Sequence, residues 1–205
     1  FWRYRRQLPD KINVCCGQVN RGVAVLGDRV FTGTVDAHLV ALDASATRLE
    51  RVRQNLTRLQ LAAVLLHGDA ANPTSWWDGE PFQHILVDAP CSGTGVIRRH
   101  PDIRILRNPQ QVAAAATLQR EILRGLWPCL APGGSLLYTT CSVLASENEQ
   151  TIAHFLAATP DASEVELDVP WGCARPHGRQ LLPTIDRHDG FYYALLRKAG
   201  GSDRE

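Results

Sequence analysis

Two cysteines and one aspartate stand where chemistry is possible, because each follows a run of residues that predicts a β-strand. Asp88 and Cys91 lie in the stretch 88–95 (DAPCSGTG), whose glycines and proline predict a turn. Cys141 follows a later run of this kind, in the stretch 139–142 (TTCS). Two thiols and a carboxylate on neighbouring strand ends suit covalent catalysis, in which a thiolate adds to an electrophilic ring.

A cytosine ring is one substrate that needs this set of groups. Its C5 atom is a poor nucleophile, but addition of a thiolate to C6 moves electron density to C5, which can then accept a methyl group. An acid must hydrogen-bond the ring at N3 and at the exocyclic amine while charge builds there. A base must afterwards remove the C5 proton so that the thiol can leave.

Strand and helix signals alternate from residue 39 onward. Short apolar runs predict four strands, and an acid or a thiol follows each of them: Asp43, Asp69, Asp88 and Cys141. Strands that are apolar on both faces and alternate with helices indicate a mostly parallel sheet covered on both sides. Since ligands bind beyond the carboxyl ends of the strands in such sheets, we expect these four residues at one binding edge.

Capping and turn signals predict the other elements. Helices are expected over about residues 45–60, 108–126 and 146–158, and their start signals are Ser45, Asn108 with Pro109, and a capping box in residues 146–149. The stretch 132–134 (PGG) predicts a turn before the strand 135–140. Residues 165–169 and 191–196 predict two closing strands, which we expect to be antiparallel.

The first 35 residues have a different pattern. Residues 22–33 predict two short strands about a Gly27–Asp28 turn, a hairpin with no helix after it. The chain contains no methionine and begins inside an element, which we interpret as the mark of a fragment or a processed product. We therefore expect three parts: a foreign β-hairpin segment over residues 1–38, a catalytic domain over 39–200 and a tail over 201–205.

The composition excludes several classes of protein. The chain has 205 residues, of which 44% are apolar and 21% charged, and its formal net charge is +1. This length suits one domain, and the balance excludes collagen-like and disordered chains. No apolar run approaches the ~18 residues of a membrane span. None of the six cysteines forms a C-x-x-C pair, so we expect no metal site and interpret Cys129 and Cys173 as bystanders.

Positive charge is concentrated after the stretch 88–95. Residues 98–107 contain four arginines and a single acid, Asp102. A basic face of this kind can bind an anion such as RNA, or it can be an ordinary solvated surface. Charge alone leaves these two interpretations equally open.

Three stretches carry a resemblance to a known family: residues 86–102 (LVDAPCSGTGVIRRHPD), 139–149 (TTCSVLASENE) and 189–194 (DGFYYA). From about residue 39 to residue 198 the chain resembles the bacterial ribosomal RNA (cytosine-5) methyltransferases of the RsmB/Fmu type, within the Nop/Sun group. The resemblance implies an α/β fold of the Rossmann-like class I type, with S-adenosylmethionine as cofactor and small-subunit ribosomal RNA as partner. It further implies a monomeric, cytoplasmic enzyme that needs neither a metal nor a membrane.

The resemblance also assigns chemical roles to single residues. Cys141, in the Thr-Cys-Ser motif, matches the family's nucleophile. Cys91, in the Pro-Cys motif, matches the thiol that assists product release. Asp88 matches the aspartate at the junction of cofactor and base.

Binding roles are assigned in the same way. Asp43 matches the acid that binds the ribose hydroxyls of S-adenosylmethionine, and Asp69 matches the acid near its adenine amine. Simple helix capping or turn formation is the alternative for both. The residues that fall where the family's loop approaches RNA are Arg98, Arg99 and His100.

Two features of the chain differ from the family. No Asp-x-Cys-x-Ala-Pro-Gly-Gly-Lys-Thr loop precedes Asp43, and the family's amino-terminal RNA-binding domain is missing. Because that loop holds the methionine end of the cofactor, we expect weak cofactor binding, and an inactive chain is one outcome of this.

Residues 1–44 instead resemble a propeller segment of quinoprotein alcohol dehydrogenases. In that family adjacent cysteines, matched here by Cys15 and Cys16, form a vicinal disulfide beside pyrroloquinoline quinone. We therefore expect a chimera joined at residues 39–44. Two alternatives to the enzyme stay open: a fragment of a periplasmic quinoprotein dehydrogenase, and a non-catalytic RNA-binding remnant.

Overall fold

The computed structural model describes residues 22–25, 29–33, 39–184 and 188–200, and within them one sheet is covered by helices. Its strands are β1 (Gly22–Val25), β2 (Arg29–Gly33), β3 (Val40–Asp43), β4 (Val64–His67), β5 (Phe82–Asp88), β6 (Leu130–Thr140), β7 (Ala162–Val165), β8 (Cys173–Ala174), β9 (Arg179–Leu181) and β10 (Phe191–Lys198). The helices are α1 (Ala46–Leu59), α2 (Ile103–Leu106), α3 (Pro109–Leu126) and α4 (Glu149–Ala158), with 3₁₀ turns at Pro73–Ser75 and Thr94–Val96.

The strand order places the predicted functional strands in two neighbouring pairs. Along the sheet the order is β4-β3-β2-β1-β5-β6-β10-β9-β8, and β7 pairs with β10. The pairs β3–β4 and β5–β6 are parallel, as predicted, and the carboxyl ends of all four strands therefore lie at one edge. β10 pairs antiparallel with β6, β7 and β9, so the sheet as a whole is mixed.

Capping side chains define the two long helices where the sequence predicts them. The Ser45 side chain accepts a hydrogen bond from the Arg48 N–H at the start of α1, which ends at Gln60 with a left-handed φ of 54°. Asn108 and Gln111 form a reciprocal capping box at the start of α3, with Pro109 in the first turn. Both predicted helices are confirmed.

The amino-terminal hairpin is part of the same sheet. β1 and β2 are antiparallel, with Gly22 opposite Gly33 and Val25 opposite Val30, which confirms the two predicted strands. β2 also pairs with β3 and with β5, so the hairpin occupies the position between the two parallel pairs. The predicted Gly27–Asp28 turn lies outside the described residues, as do Cys15 and Cys16. The division into parts at residues 38/39 and 200/201 stays a prediction.

The core forms where the buried face of α3 packs on the central strands. Its buried side chains follow a helical spacing: Ala116, Gln119, Ile122, Leu123 and Leu126. Ile122, Leu123 and Leu126 join a cluster that includes Leu42, Ile85, Leu136 and Tyr192, all at most 2% exposed. Burying each large apolar side chain contributes about 2 kcal/mol, which holds the strands whose ends carry the site. No helix in the described ranges is long and apolar enough to cross a membrane.

Three local predictions are wrong. The expected turn at residues 132–134 lies inside β6, where Gly133 has a φ of 75°. Phe82 pairs with Leu130 but His84 pairs with Ser135, so the extra residues of β6 bulge out of the sheet. The closing strand expected at 165–169 is β7, which ends at Val165, and only the antiparallel pairing with β10 agrees with the prediction.

The predicted capping box of α4 is also absent. The helix begins at Glu149, and its cap residue Asn148 makes no side-chain capping bond. The side chains of Glu147 and Asn148 are buried in a hydrogen-bond network instead. Glu149, the acid of the predicted box, forms an ion pair with Arg175 at 3.1 Å.

Candidate active site

The two cysteines that the sequence places far apart lie side by side in the fold. Cys91 follows β5 and Cys141 follows β6, and because these strands are parallel neighbours, both loops leave the sheet at the same edge. The two Sγ atoms are 3.4 Å apart. A backbone hydrogen bond of 2.9 Å from the Ala89 N–H to the Thr139 carbonyl continues the pairing up to the loops.

The contact between the sulfur atoms makes the two thiols unequal. The hydrogen bond between the two sulfur atoms, together with burial, raises the pKa of Cys91. The same bond lowers the pKa of Cys141, although burial and the nearby Asp88 carboxylate oppose the shift. Because the thiolate is the reactive form, these shifts make Cys141 the more readily ionised of the two thiols.

Gly95 lets the two loops approach each other closely. Its N–H donates to the Cys141 carbonyl at 2.8 Å, and its carbonyl accepts from the Gly190 N–H at 2.8 Å. A Cβ atom at Gly95 would lie 2.2 Å from the Gly190 oxygen and 2.7 Å from the Cys141 oxygen. Both are backbone atoms that cannot turn away, so this position requires glycine.

A buried carboxylate that the sequence interpretation missed joins the same loops. Glu147 is fully buried, and its Oε2 accepts hydrogen bonds from the Ser92 and Ser142 hydroxyls, each at 2.5 Å. Its Oε1 accepts from the Ser92 N–H at 2.7 Å. Each serine directly follows one of the two cysteines. That repeated Cys-Ser pair was the signal in the sequence, but it does not say which acid the serines bind.

The acids predicted to bind a cofactor lie at the ends of the other parallel pair. Asp43 is fully buried at the end of β3, where its carboxylate accepts from the Ser45 N–H at 2.7 Å and forms an ion pair with Arg48 at 2.9 Å. Asp69 lies two residues beyond β4 and is exposed, and its carboxylate accepts from the Ala71 N–H at 2.9 Å. Both side chains therefore also serve local structure, as the alternative interpretation holds.

The arginine loop is tied to the carboxyl-terminal part of the chain. Asp189 pairs with Arg99 at 2.6 Å and with Arg98 at 3.6 Å, and the pairing raises the pKa of Arg99. His100 is exposed. The structure thus groups the three predicted RNA-binding residues on one exposed turn, where Asp189 neutralises part of their charge.

Two further arginines border a pocket beside the thiol loops. The cavity has a volume of about 610 Å³, and its walls include Ile97, Ile103 and Leu144, with Arg104 and Arg107 at its border. The Arg107 Nε–H donates to the carbonyl of Ser92 at 2.9 Å, so this pocket begins next to the Cys91 loop. The arginine-rich composition of residues 98–107 had indicated positive charge here, but not a cavity.

The other two cysteines of the described chain lie outside the two thiol loops. Cys129 is fully buried under α3, where burial raises its pKa to about 12. Cys173 is exposed on β8. Among the residues that the structure describes, no group of three His, Cys, Asp or Glu side chains is arranged to hold a metal ion.

Comparison with known proteins gives a consistent result. The model of a family described as 16S rRNA methyltransferase RsmB/F matches residues 32–197. The chain is 57% identical over 166 residues to ribosomal RNA small subunit methyltransferase B of Pseudomonas putida, covering 81% of this chain and 38% of that protein. It is 50% identical over 192 residues to the protein of the same name from Vibrio cholerae, covering 94% of this chain and 42% of that protein.

A solved structure shows the same likeness in three dimensions. NSun6 from Pyrococcus horikoshii, determined with SFG, superposes with a TM-score of 0.67 at 28% identity, over 78% of this chain and 41% of that one. In the two sequence comparisons above, the chain spans less than half the length of each curated relative. The match to the Vibrio cholerae protein covers so much of the chain that it extends into residues 1–38.

Proposed function

Since the chain belongs to the RsmB/F family of 16S rRNA methyltransferases, we propose that it methylates C5 of a cytosine in small-subunit ribosomal RNA. Membership rests on a match over residues 32–197 and on relatives at 50–57% identity. The fold is the predicted Rossmann-like class I methyltransferase fold, as the superposition with NSun6 shows. The activity, substrate and partners are proposals, because the chain spans 38% and 42% of the length of those two relatives.

The observation that carries the proposal is the pair of sulfur atoms 3.4 Å apart at two parallel strand ends. The Cys141 thiolate adds to C6 of the ring, while Asp88 hydrogen-bonds the ring at N3 and at the exocyclic amine. Once C5 carries the methyl group, a base must take the C5 proton. We assign this step to Cys91, which must first give its own proton to solvent. The Cys141–C6 bond then breaks, and the thiolate is restored.

The chain's acids fit part of S-adenosylmethionine, which supplies an electrophilic methyl group when bound. Carboxylates at the ends of adjacent strands suit ribose hydroxyls and an exocyclic amine, and we assign these contacts to Asp43 and Asp69, with Asp88 at the junction to the base. Asp43 would share its carboxylate between the ribose and Arg48. No glycine-rich loop precedes Asp43 in the sequence, so binding is weak.

Ribosomal RNA is the proposed partner, and positive charge near the thiols supports this. Arg104 and Arg107 border the pocket that begins at the Cys91 loop, and Arg98, Arg99 and His100 lie on the exposed turn before it. Phosphates bind such surfaces because Arg and Lys replace their counterions. We further propose that the protein acts as a monomer in the cytoplasm, where ribosomal RNA is found.

A trapping experiment tests the proposal. RNA that contains 5-fluorocytosine keeps the covalent adduct after methyl transfer. Its C5 carries fluorine in place of hydrogen, so no base can remove a C5 proton. With S-adenosylmethionine and ribosomal RNA, the unaltered chain and Cys91→Ala should form a protein–RNA adduct that survives denaturing gels, and Cys141→Ala should form none. With ordinary RNA, only Cys91→Ala should accumulate the adduct. The reverse pattern would make Cys91 the nucleophile.

A non-catalytic RNA-binding remnant is the second candidate, favoured by the missing glycine-rich loop. Titration with S-adenosylmethionine separates the two: an enzyme gives saturable binding, and a remnant gives none while still binding RNA.

The origin of residues 1–44 in a quinoprotein propeller stays a proposal, and two observations weigh against it. The Vibrio cholerae match covers 94% of the chain, and β2 pairs with β3 and β5 in the methyltransferase sheet. Sequencing reads across codons 30–50 of the source DNA test the fusion. Discontinuous coverage would support a join.

A further inference from the structure

We propose that Glu147 is a positioning residue that holds the two thiol-bearing loops together, with one serine of each loop bound to its carboxylate. The site residues predicted from the sequence do not include Glu147. The proposal rests on the proposed function for its catalytic consequence, but thiol chemistry alone tests it.

The contacts of Glu147 join segments that are distant in sequence. Its Oε2 accepts from the hydroxyls of Ser92 and Ser142, each at 2.5 Å, and its Oε1 accepts from the Ser92 N–H at 2.7 Å. Gln119 of α3 contributes a longer bond of 3.4 Å to Oε1. Every partner donates, so the Glu147 side chain is the shared hydrogen-bond acceptor between the two loops.

The backbone and the neighbour of Glu147 are also fixed by hydrogen bonds. The Tyr138 hydroxyl donates to the Glu147 carbonyl at 2.7 Å, and Asn148 next to it accepts from the Thr140 hydroxyl at 2.6 Å. Asn148 also donates to the Ser142 carbonyl at 3.0 Å. The segment that carries Glu147 is thus anchored to β6, so a movement of its carboxylate must be paid for in several buried bonds.

The consequence for chemistry follows from the order of contacts. Ser92 follows Cys91 and Ser142 follows Cys141, so the carboxylate sets the distance between the two sulfur atoms. The groups that act electrostatically on Cys141 are Cys91, Asp88, Glu147 and Arg99. Of these, the hydrogen bond from Cys91 has the largest influence and lowers the pKa of Cys141, whereas the Glu147 charge has a small opposite influence.

Because these influences on the pKa of Cys141 are opposite, the direction of its change distinguishes the two roles of Glu147. Alkylation of Cys141 by iodoacetamide, followed against pH by peptide mass spectrometry, measures its thiolate fraction in the intact chain. If Glu147 holds the loops, Glu147→Gln should separate the sulfur atoms, raise the pKa of Cys141 and slow its alkylation at pH 7 by about tenfold. If Glu147 contributes only its charge, the pKa of Cys141 should fall and alkylation should be faster.

Further variants separate positioning from general damage. Ser142→Ala removes one of the hydrogen bonds to Glu147, so it should also slow the alkylation of Cys141, but by less. Cys91→Ala should slow it as much as Glu147→Gln, and the double variant should add nothing further, because both changes remove one hydrogen bond. Glu149→Gln, two residues on and paired with Arg175 at the surface, is the matched control that leaves alkylation unchanged.

Three results would overturn the proposal: faster or unchanged alkylation in a folded Glu147→Gln chain, an additive double variant, or an equal effect of Glu149→Gln. If Glu147→Gln does not fold, Ser142→Ala decides alone. A failure of methyl transfer in all chains, with the alkylation pattern as expected, would count against the proposed function and leave the role of Glu147 standing.

Discussion

The binding edge of the sheet contains two groups of functional residues that are held in different ways. In the first, the thiol rim (residues 89–95 and 141–147), hydrogen bonds join residues that are 48 to 55 positions apart. In the second, the acid rim (Asp43 and Asp69), the carboxylates accept hydrogen bonds from residues two to five positions away.

The difference reflects what each group must do. Two sulfur atoms from separate loops must lie within hydrogen-bond distance before chemistry starts, and only contacts across the sheet can hold them so. An acid that accepts ligand hydroxyls needs only the right strand end, and a local turn supplies that. The thiol rim is therefore expected to respond to changes far away in sequence, and the acid rim is not.

The largest effect on stability should come from placing an extra atom between the thiol loops. Gly95→Ala places a Cβ 2.2 Å from a backbone oxygen, and we expect it to cost about 3 kcal/mol of unfolding free energy in urea titrations. It should also slow Cys141 alkylation, because the loops must separate. Gly133→Ala is the control, because Gly133 has a left-handed φ but an added Cβ would have no atom within 4 Å. It should lower the free energy of unfolding by about 1 kcal/mol. Equal costs would mean that the loops are not tightly packed.

A change in the acid rim should affect ligand binding and leave the thiols alone. Asp43→Asn keeps the shape but removes the charge that strengthens hydrogen bonds to ribose, so we expect about tenfold weaker binding of S-adenosylmethionine by calorimetry. Cys141 alkylation should not change. Asp78→Asn, an exposed acid, is the control. Altered alkylation in Asp43→Asn would show that the two rims are coupled, and low-micromolar binding by the unaltered chain would contradict the weak binding that we propose.

The smallest effect should come from the arginines outside both rims. Arg104→Ala removes one cation from the pocket border, and we expect a few-fold weaker RNA binding and a decrease of about one in the slope of log affinity against log salt. Stability should change by less than about 0.5 kcal/mol, because the side chain is exposed. Arg120→Ala, a half-buried arginine of α3 that lines a different pocket, is the comparison. An equal loss of RNA affinity in both variants would mean that RNA does not bind at this pocket.

Local signals predicted much of the fold correctly. Ser45 and Asn108 start helices because a side-chain oxygen beside a helical segment satisfies its first N–H groups in almost any surroundings. The same logic failed at residues 146–149, where the helix begins at Glu149 and the Glu149 side chain pairs with Arg175. It failed again at residues 132–134, where a turn motif became a bulge because β6 continues along β5 on both sides of it.

The sequence alone determined which residues stand at strand ends, since apolar runs followed by polar residues depend on neighbours along the chain. It thereby located Asp43, Asp88, Cys91 and Cys141, and the resemblance of its motifs assigned them roles. Only the tertiary structure decided that the two sulfur atoms touch and that their contact lowers the pKa of Cys141. It also decided that one buried carboxylate joins their loops. These are distances between segments about fifty residues apart, and they depend on how the strands pair and pack, which no local pattern of residues encodes.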